Sequence, residues 1–205
     1  MFYSVIKVIA MIVFAPFMPR KVIGKEHIPA QGGFVLALNH RSNLDVIAGG
    51  LSCPRQLHYM AKKELFQNKL FGWFLKKLNA FPLDRVGNDL KAIKTALSLL
   101  KSGEVLGIFP EGTRVKHGED VGAKAGVSML ALRAKVPVVP GVIVGDYKLF
   151  RRVYVVFGEP ISLEKYYDTK QSNEALLQIS GEILDEIKKM DADVKKRLAK
   201  NEKLR

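Results

Sequence analysis

Gly33-Phe34-Val35-Leu36-Ala37-Leu38 is apolar without a break, starts on a glycine and stops at the polar cluster Asn39-His40-Arg41-Ser42-Asn43-Leu44-Asp45. A short apolar run bounded in this way favours a buried strand. His40 then falls at the strand's carboxyl end. Ser42 or Asn43 can cap a following helix through Leu44, Val46 and Ile47, with Asp45 in its first turn, where a carboxylate suits the helix dipole. In open α/β sheets, ligands bind at that end of the strands.

A turn between His40 and Asp45 can fold the carboxylate onto one imidazole nitrogen, leaving the other free to take a proton. The competing reading of the same spacing is a histidine near a helix cap and a first-turn acid with no chemistry. No protein nucleophile accompanies the pair. The nearest approach to a G-x-S-x-G elbow, Gly126-Val127-Ser128-Met129-Leu130, lacks the second glycine, and the single cysteine, Cys53, precedes Pro54 with no basic neighbour closer than Arg55. A base without a protein nucleophile suits a reaction whose nucleophile is the substrate's own hydroxyl.

The first eighteen residues are apolar apart from Ser4 and Lys7. Their unbroken core, Val8 to Met18, would extend only about 16 Å as a helix, against a hydrocarbon core of about 30 Å. The expectation is insertion into one leaflet, with Arg20, Lys21 and Lys25 at the headgroups; a packed core helix and a true span are the alternatives. Lys and Arg number 33 against 20 Asp and Glu, a net charge of +13 that calls for a polyanionic partner, either an anionic membrane surface or nucleic acid. One cysteine excludes a disulfide framework and a cysteine-rich zinc site.

Along the rest of the chain, Arg55 to Met60 reads as a short strand. Phe66, Leu70, Phe74 and Leu78 recur every fourth residue within Ala61 to Leu78, predicting a basic amphipathic helix whose apolar face meets either the core or a membrane. Asn79 to Arg85 is strand-like but interrupted by Pro82, which predicts an edge position. Asn88 is expected to cap a helix with Leu90, Ile93, Leu97 and Leu100 on one face, ending at Gly103. Val105 to Phe109, Val136 to Val144 and Val153 to Phe157 read as strands, and Gly126 to Ala134 as a helix. A last helix carries Leu176, Ile179, Ile183, Ile187 and Met190 on one face before a basic tail. Strands alternating with helices argue an α/β fold: a single layered domain with a mixed, largely parallel sheet flanked by helices, plus an N-terminal membrane-associating helical segment. The expected divisions are 1–20 for that segment, 21–190 for the domain and 191–205 for the tail.

Four blocks stand in order: Asn39-His40 with Asp45, Phe81-Pro82-Leu83-Asp84-Arg85, Phe109-Pro110-Glu111-Gly112-Thr113-Arg114, and Val136-Pro137-Val138-Val139-Pro140. Together they resemble the blocks of the glycerolipid acyltransferases. The resemblance runs from about residue 20 to about residue 165. It implies His40 as general base, Asp45 as its orienter, and Arg85, Glu111, Gly112, Thr113 and Arg114 as the glycerol-phosphate site, with no metal and no bound cofactor. It further implies transfer of an acyl chain from a thioester of acyl carrier protein or coenzyme A to the sn-2 hydroxyl of lysophosphatidic acid, giving phosphatidic acid on the cytoplasmic face of the cell membrane. Arginine forks match phosphate bidentately, so Arg85 and Arg114 can clamp one headgroup; read alone, Arg85 could equally be a surface ion pair with Asp84. Three positions depart from the family pattern: Asn79 replaces a usual glycine, Val115 a frequent serine, and Gly141 a bulkier residue. The rival classes are an acyltransferase for another lysolipid and a non-catalytic basic protein that binds membrane or nucleic acid. Nucleic acid is disfavoured, because the aromatics cluster in the N-terminus and one amphipathic segment rather than among arginines along a groove.

Overall fold

The computed structural model describes residues 19–84, 89–115, 119, 121–200, 202 and 204. In chain order its elements are β1 (Arg20–Ile23), β2 (Phe34–Leu38), α1 (Leu44–Ser52), β3 (Leu57–Lys62), α2 (Lys69–Lys77), β4 (Ala80–Leu83), α3 (Leu90–Lys101), β5 (Val105–Ile108), α4 (Gly126–Ala134), β6 (Val138–Val144), β7 (Val153–Phe157) and α5 (Asn173–Ala199). The seven strands form one sheet in the order β1-β7-β6-β2-β5-β3-β4. Every pairing is parallel except β6 with β7, so the sheet is mixed and largely parallel.

The apolar run that opens β2 is buried at every position, because β2 lies between β5 and β6 with side chains packed on both faces. Phe34, Leu36 and Leu38 pack with Ala48 of α1 and with Val139, Ile143, Val155 and Phe157. Val35 and Ala37 face the opposite layer, built from Leu100 of α3, Val127 and Leu130 of α4, and Ile179, Ile183 and Ile187 of α5. Helices therefore cover both faces, as uninterrupted apolar strands require. Ser128 and Ser180, both buried, join α4 to α5: the Ser180 hydroxyl donates to Ser128 Oγ at 2.9 Å, and Ser128 Oγ donates to the Leu176 carbonyl at 2.6 Å. This also removes Ser128 from any nucleophilic role.

Several local expectations need correction. The amphipathic segment is a helix only from Lys69, because β3 pairs as far as Lys62 with Leu83 of β4 and the ladder claims those backbone groups. A short 3-10 turn at Lys63–Phe66 follows, and Asn68 caps α2 by accepting from Phe71 N at 3.0 Å. Helix α2 buries only Gly72, so its aromatic face does not meet the core among the described residues. Helix α3 is capped by Asp89, which accepts from Ala92 N at 2.9 Å; Asn88 lies outside the described residues. Its buried stripe runs through Ala92, Ala96 and Leu100, leaving Leu90 exposed. The basic stretch expected as a tail is helical up to Ala199, with Val194 buried. Strand β4 does form an edge, and Asn79 adopts φ 62°, the left-handed geometry that lets Asn stand in for glycine. The N-terminal segment of residues 1–18 lies outside the described residues. Among those described, no helix is long and apolar enough to cross a membrane.

Candidate active site

Five parallel strands, β2 to β6, end on one edge of the sheet, and the polar clusters follow those ends. Beyond β2 the chain curls around Asp45. The Asp45 N–H donates to the Ser42 carbonyl at 3.1 Å, closing the turn that starts α1. The Ser42 hydroxyl accepts from Leu44 N at 3.2 Å, whereas Asn43 makes no side-chain cap bond, so of the two expected caps Ser42 supplies the oxygen. Asp45 is 2% exposed. Its Oδ2 accepts from the backbone N–H groups of Arg41 and Ser42, both at 2.6 Å, and lies 3.1 Å from His40 Nδ1. Its Oδ1 accepts from the Tyr147 hydroxyl at 2.5 Å. Burial pushes the carboxyl upward, but the hydrogen bonds from His40, Ser42, Tyr147 and Arg41 prevail and hold it below the usual carboxylate range. Burial and the neighbouring Asp45 carboxylate push the Tyr147 phenol far upward, so it remains a neutral donor.

Asp45 on Nδ1 makes that nitrogen the protonated one and leaves Nε2 as the basic atom. Among the described residues no partner takes up Nε2. The imidazole plane is fixed from the side by Phe109, stacked at 3.9 Å between centroids with a 19° interplanar angle, and Phe109 is backed in turn by Tyr59 at 6.2 Å. Gly107 makes room for this stack, since a Cβ there would overlap the Tyr59 ring. The sequence thus places an imidazole and its carboxylate partner five residues apart, and the fold adds a wall that sets the ring's tilt.

The third cluster is split by the structure. Glu111, 5% exposed, accepts from the His40 backbone N–H at 3.4 Å through Oε1, while its buried Oε2 has no partner among the described residues. Burial pushes this carboxyl above its ordinary range. Gly112 turns the chain with φ 68° and donates to the Phe109 carbonyl at 2.9 Å. Thr113 and Arg114 follow it into solvent. The Val115 N–H donates to the His40 carbonyl at 2.8 Å, which ties the end of this loop to the base. Glu111, Gly112, Thr113 and Arg114 therefore sit on the same edge as His40 and Asp45. Arg85 lies outside the described residues. Its neighbour Asp84 follows β4, three strands from β2, which corresponds to about 14 Å across the sheet. Asp84 is ion-paired with Lys63.

Two residues at the site, Tyr147 and Asp191, were not singled out from the sequence, and Asn39 was given no role of its own. Tyr147 follows β6, so its signal was the same one that marks His40, a polar side chain just past a buried strand. Asp191 accepts from Arg41 Nη2 at 2.6 Å and from Lys195 at 2.7 Å. It falls four residues after Ile187 on the core-facing side of α5, and an acid in that register is the available cue. Asn39 clamps β2 to β6: its amide donates to the Ile143 carbonyl at 3.1 Å, and its Oδ1 accepts from Ile143 N at 2.7 Å. Arg41, Glu111, Asp191 and Asn39 line a cavity of about 110 Å³.

The remaining histidines do not join the site. His27 contacts Glu159 at 3.0 Å, but it lies beside the end of β7, an antiparallel strand that finishes at the opposite edge of the sheet. His58 faces Glu104 at 4.0 Å, and burial lowers its basicity. His117 lies outside the described residues. Cys53 is buried. Among the described residues no group of three His, Cys, Asp or Glu could hold a metal ion.

Residues 19–144 match the acyltransferase family. The chain is 48% identical over 147 residues to the 1-acyl-sn-glycerol-3-phosphate acyltransferase of Bacillus subtilis, covering 69% of this chain and 73% of that protein. It is 34% identical over 178 residues to the enzyme of the same name from Streptococcus pneumoniae, covering 83% of this chain and 65% of that one. The crystal structure of the 1-acyl-sn-glycerophosphate acyltransferase from Thermotoga maritima superposes with a TM-score of 0.72 at 25% identity, over 94% of this chain and 80% of that one. With His40 and Asp45 joined at one strand end and the third block folded against them, the chain belongs to the acyltransferase family.

Proposed function

We propose that this protein transfers an acyl chain from a thioester to the sn-2 hydroxyl of lysophosphatidic acid, forming phosphatidic acid. The observation that carries the reading is the His40–Asp45 pair: among the described residues no partner takes up His40 Nε2, and no serine or cysteine side chain is bonded to the imidazole. The substrate hydroxyl supplies the nucleophile: its oxygen attacks the thioester carbonyl carbon as Nε2 takes its proton. The C–S bond then breaks and the departing thiolate takes that proton back, leaving ester and free thiol. The names of the Bacillus and Streptococcus relatives support lysophosphatidic acid as acceptor.

Arg114, with Arg85 as a second cation, binds the phosphate and holds the glycerol hydroxyl against the base. The unpartnered oxygen of Glu111 accepts from a glycerol hydroxyl, since a buried acceptor without a donor is costly until one arrives. The acyl donor is a thioester of acyl carrier protein or coenzyme A. Residues 1–18 insert in one leaflet at the cytoplasmic face, and α2, with Leu70 78% and Trp73 52% exposed among Lys69, Lys76 and Lys77, rests on the anionic surface beside them.

Purified protein supplied with lysophosphatidic acid and each thioester should form phosphatidic acid with at least one donor. Absence of product with both, from folded protein in lipid vesicles, would remove the reading. Deleting residues 1–18 should release the protein from membranes and reduce activity on membrane-embedded lysolipid more than on a short-chain, water-soluble analogue.

A further inference from the structure

A second apolar and basic surface flanks the site, on the side away from α2. The connection from β6 to β7 runs Gly145-Asp146-Tyr147-Lys148-Leu149-Phe150-Arg151-Arg152. Leu149 and Phe150 stand at its apex, 56% and 76% exposed. Arg151 N–H donates to the Lys148 carbonyl at 3.0 Å, closing the turn, and Phe150 is held at φ 60°. A bulky aromatic at positive φ is disfavoured, and such strain is retained chiefly where it serves a function. Lys148, Arg151 and Arg152 flank the pair in the chain, against the single acid Asp146, whose contact with Lys148 at 3.5 Å is largely in solvent and weak.

Placement gives this loop its meaning. It leaves the carboxyl end of β6, the strand next to β2, and its Tyr147 is bonded to Asp45, so its root is fixed to the catalytic pair. Helix α2 follows β3, on the other flank of β2. The order β6-β2-β5-β3 sets the two surfaces roughly 14 Å apart at the strand ends, with His40 between them.

We propose that the Leu149–Phe150 tip inserts into an anionic lipid surface, its three cations at the headgroups, as a contact separate from α2 and the N-terminal segment. The inference rests on the reading of the protein as a lysolipid acyltransferase working at a membrane. Contact on both flanks turns the catalytic edge toward the bilayer, so a lysolipid reaches His40 without leaving its leaflet. The apolar pair supplies insertion, and the cations select anionic headgroups.

The chain has one tryptophan, Trp73, so the full-length double variant Trp73→Phe, Phe150→Trp reports on the tip alone. Vesicles of phosphatidylglycerol and phosphatidylcholine with brominated acyl chains should blue-shift and quench its emission, and pure phosphatidylcholine vesicles should do so far less. Leu149→Ser with Phe150→Ser should weaken vesicle partitioning about tenfold or more while leaving turnover of a water-soluble short-chain lysolipid within about twofold. Unquenched emission from protein that still sediments with the vesicles overturns the tip contact and leaves the membrane reading standing. Failure to sediment at all overturns both. Emission already blue-shifted without vesicles and indifferent to bromine shows the tip covered by protein, another part of this chain or a second copy, and overturns the proposal.

Discussion

The two halves of the site are built on opposite plans. Around His40 nearly every polar atom is spoken for: Asp45 takes four donors, Phe109 fixes the ring, and the His40 backbone bonds Glu111 on one side and Val115 on the other. On the side proposed for the phosphate, Gly112, Thr113 and Arg114 are exposed. A base has to be oriented before substrate arrives, because misdirected imidazole costs turnover directly. An anion anchor has to stay hydrated and reachable until the charge it binds arrives, and its partner then orders it. The contrast teaches that one strand edge holds a tightly ordered imidazole next to an open, solvated loop, which is what the proposed division between proton acceptor and headgroup anchor needs.

The largest expected effect is at the base. His40→Ala should lower turnover by the 10²- to 10⁴-fold typical of general base catalysis while leaving the melting temperature near that of the unaltered protein. A rate within a few fold would place the chemistry elsewhere. Tyr147→Phe deletes one of the four donors to Asp45, and the loss of a hydrogen bond worth about 1 kcal/mol predicts a drop in turnover of about fivefold. Unchanged turnover would make Tyr147 a packing residue only.

The smallest effect is in stability, and here the two acids of the site have opposite signs. The folded Asp45 carboxyl lies below its ordinary 3.8, so its contribution is present above that pH and is lost as pH falls through the lower folded value. The folded Glu111 carboxyl lies above its ordinary 4.5, so its contribution is present below that pH and is lost as pH rises through the higher folded value. Near neutrality, Glu111→Gln should therefore raise the melting temperature by a few degrees, and the gain should vanish below pH 4.5. A fall in melting temperature at neutral pH would mean that the Glu111 charge is stabilised by a partner.

Legibility followed sequence separation. His40 and Asp45 are five residues apart and lie at a strand end marked by an apolar run, so spacing allowed their pairing and the four ordered blocks favoured it over a plain helix start. Tyr147 reaches Asp45 across 102 residues, Asn39 reaches Ile143 across 104 and Arg41 reaches Asp191 across 150, contacts that exist only once the strand order is set. The buried strands were legible because each is apolar and ends at polar residues. The start of α2 was not, because the four-residue spacing of Phe66 and Leu70 runs on across a strand end and a 3-10 turn that tertiary pairing imposes. Composition indicated the basic balance, but only the fold shows Leu149 and Phe150 exposed beside the site.

The division of labour between the halves is tested most directly by measuring kcat and KM for lysophosphatidic acid in Asp45→Asn and Arg114→Ala side by side. Asp45→Asn should lower kcat by about 10²-fold or more with little change in KM, because it disorients the base without touching the phosphate. Arg114→Ala should raise KM by roughly 10- to 150-fold with a smaller change in kcat, the loss of one charge-assisted hydrogen bond. Losses confined to the same constant in both variants would contradict the account.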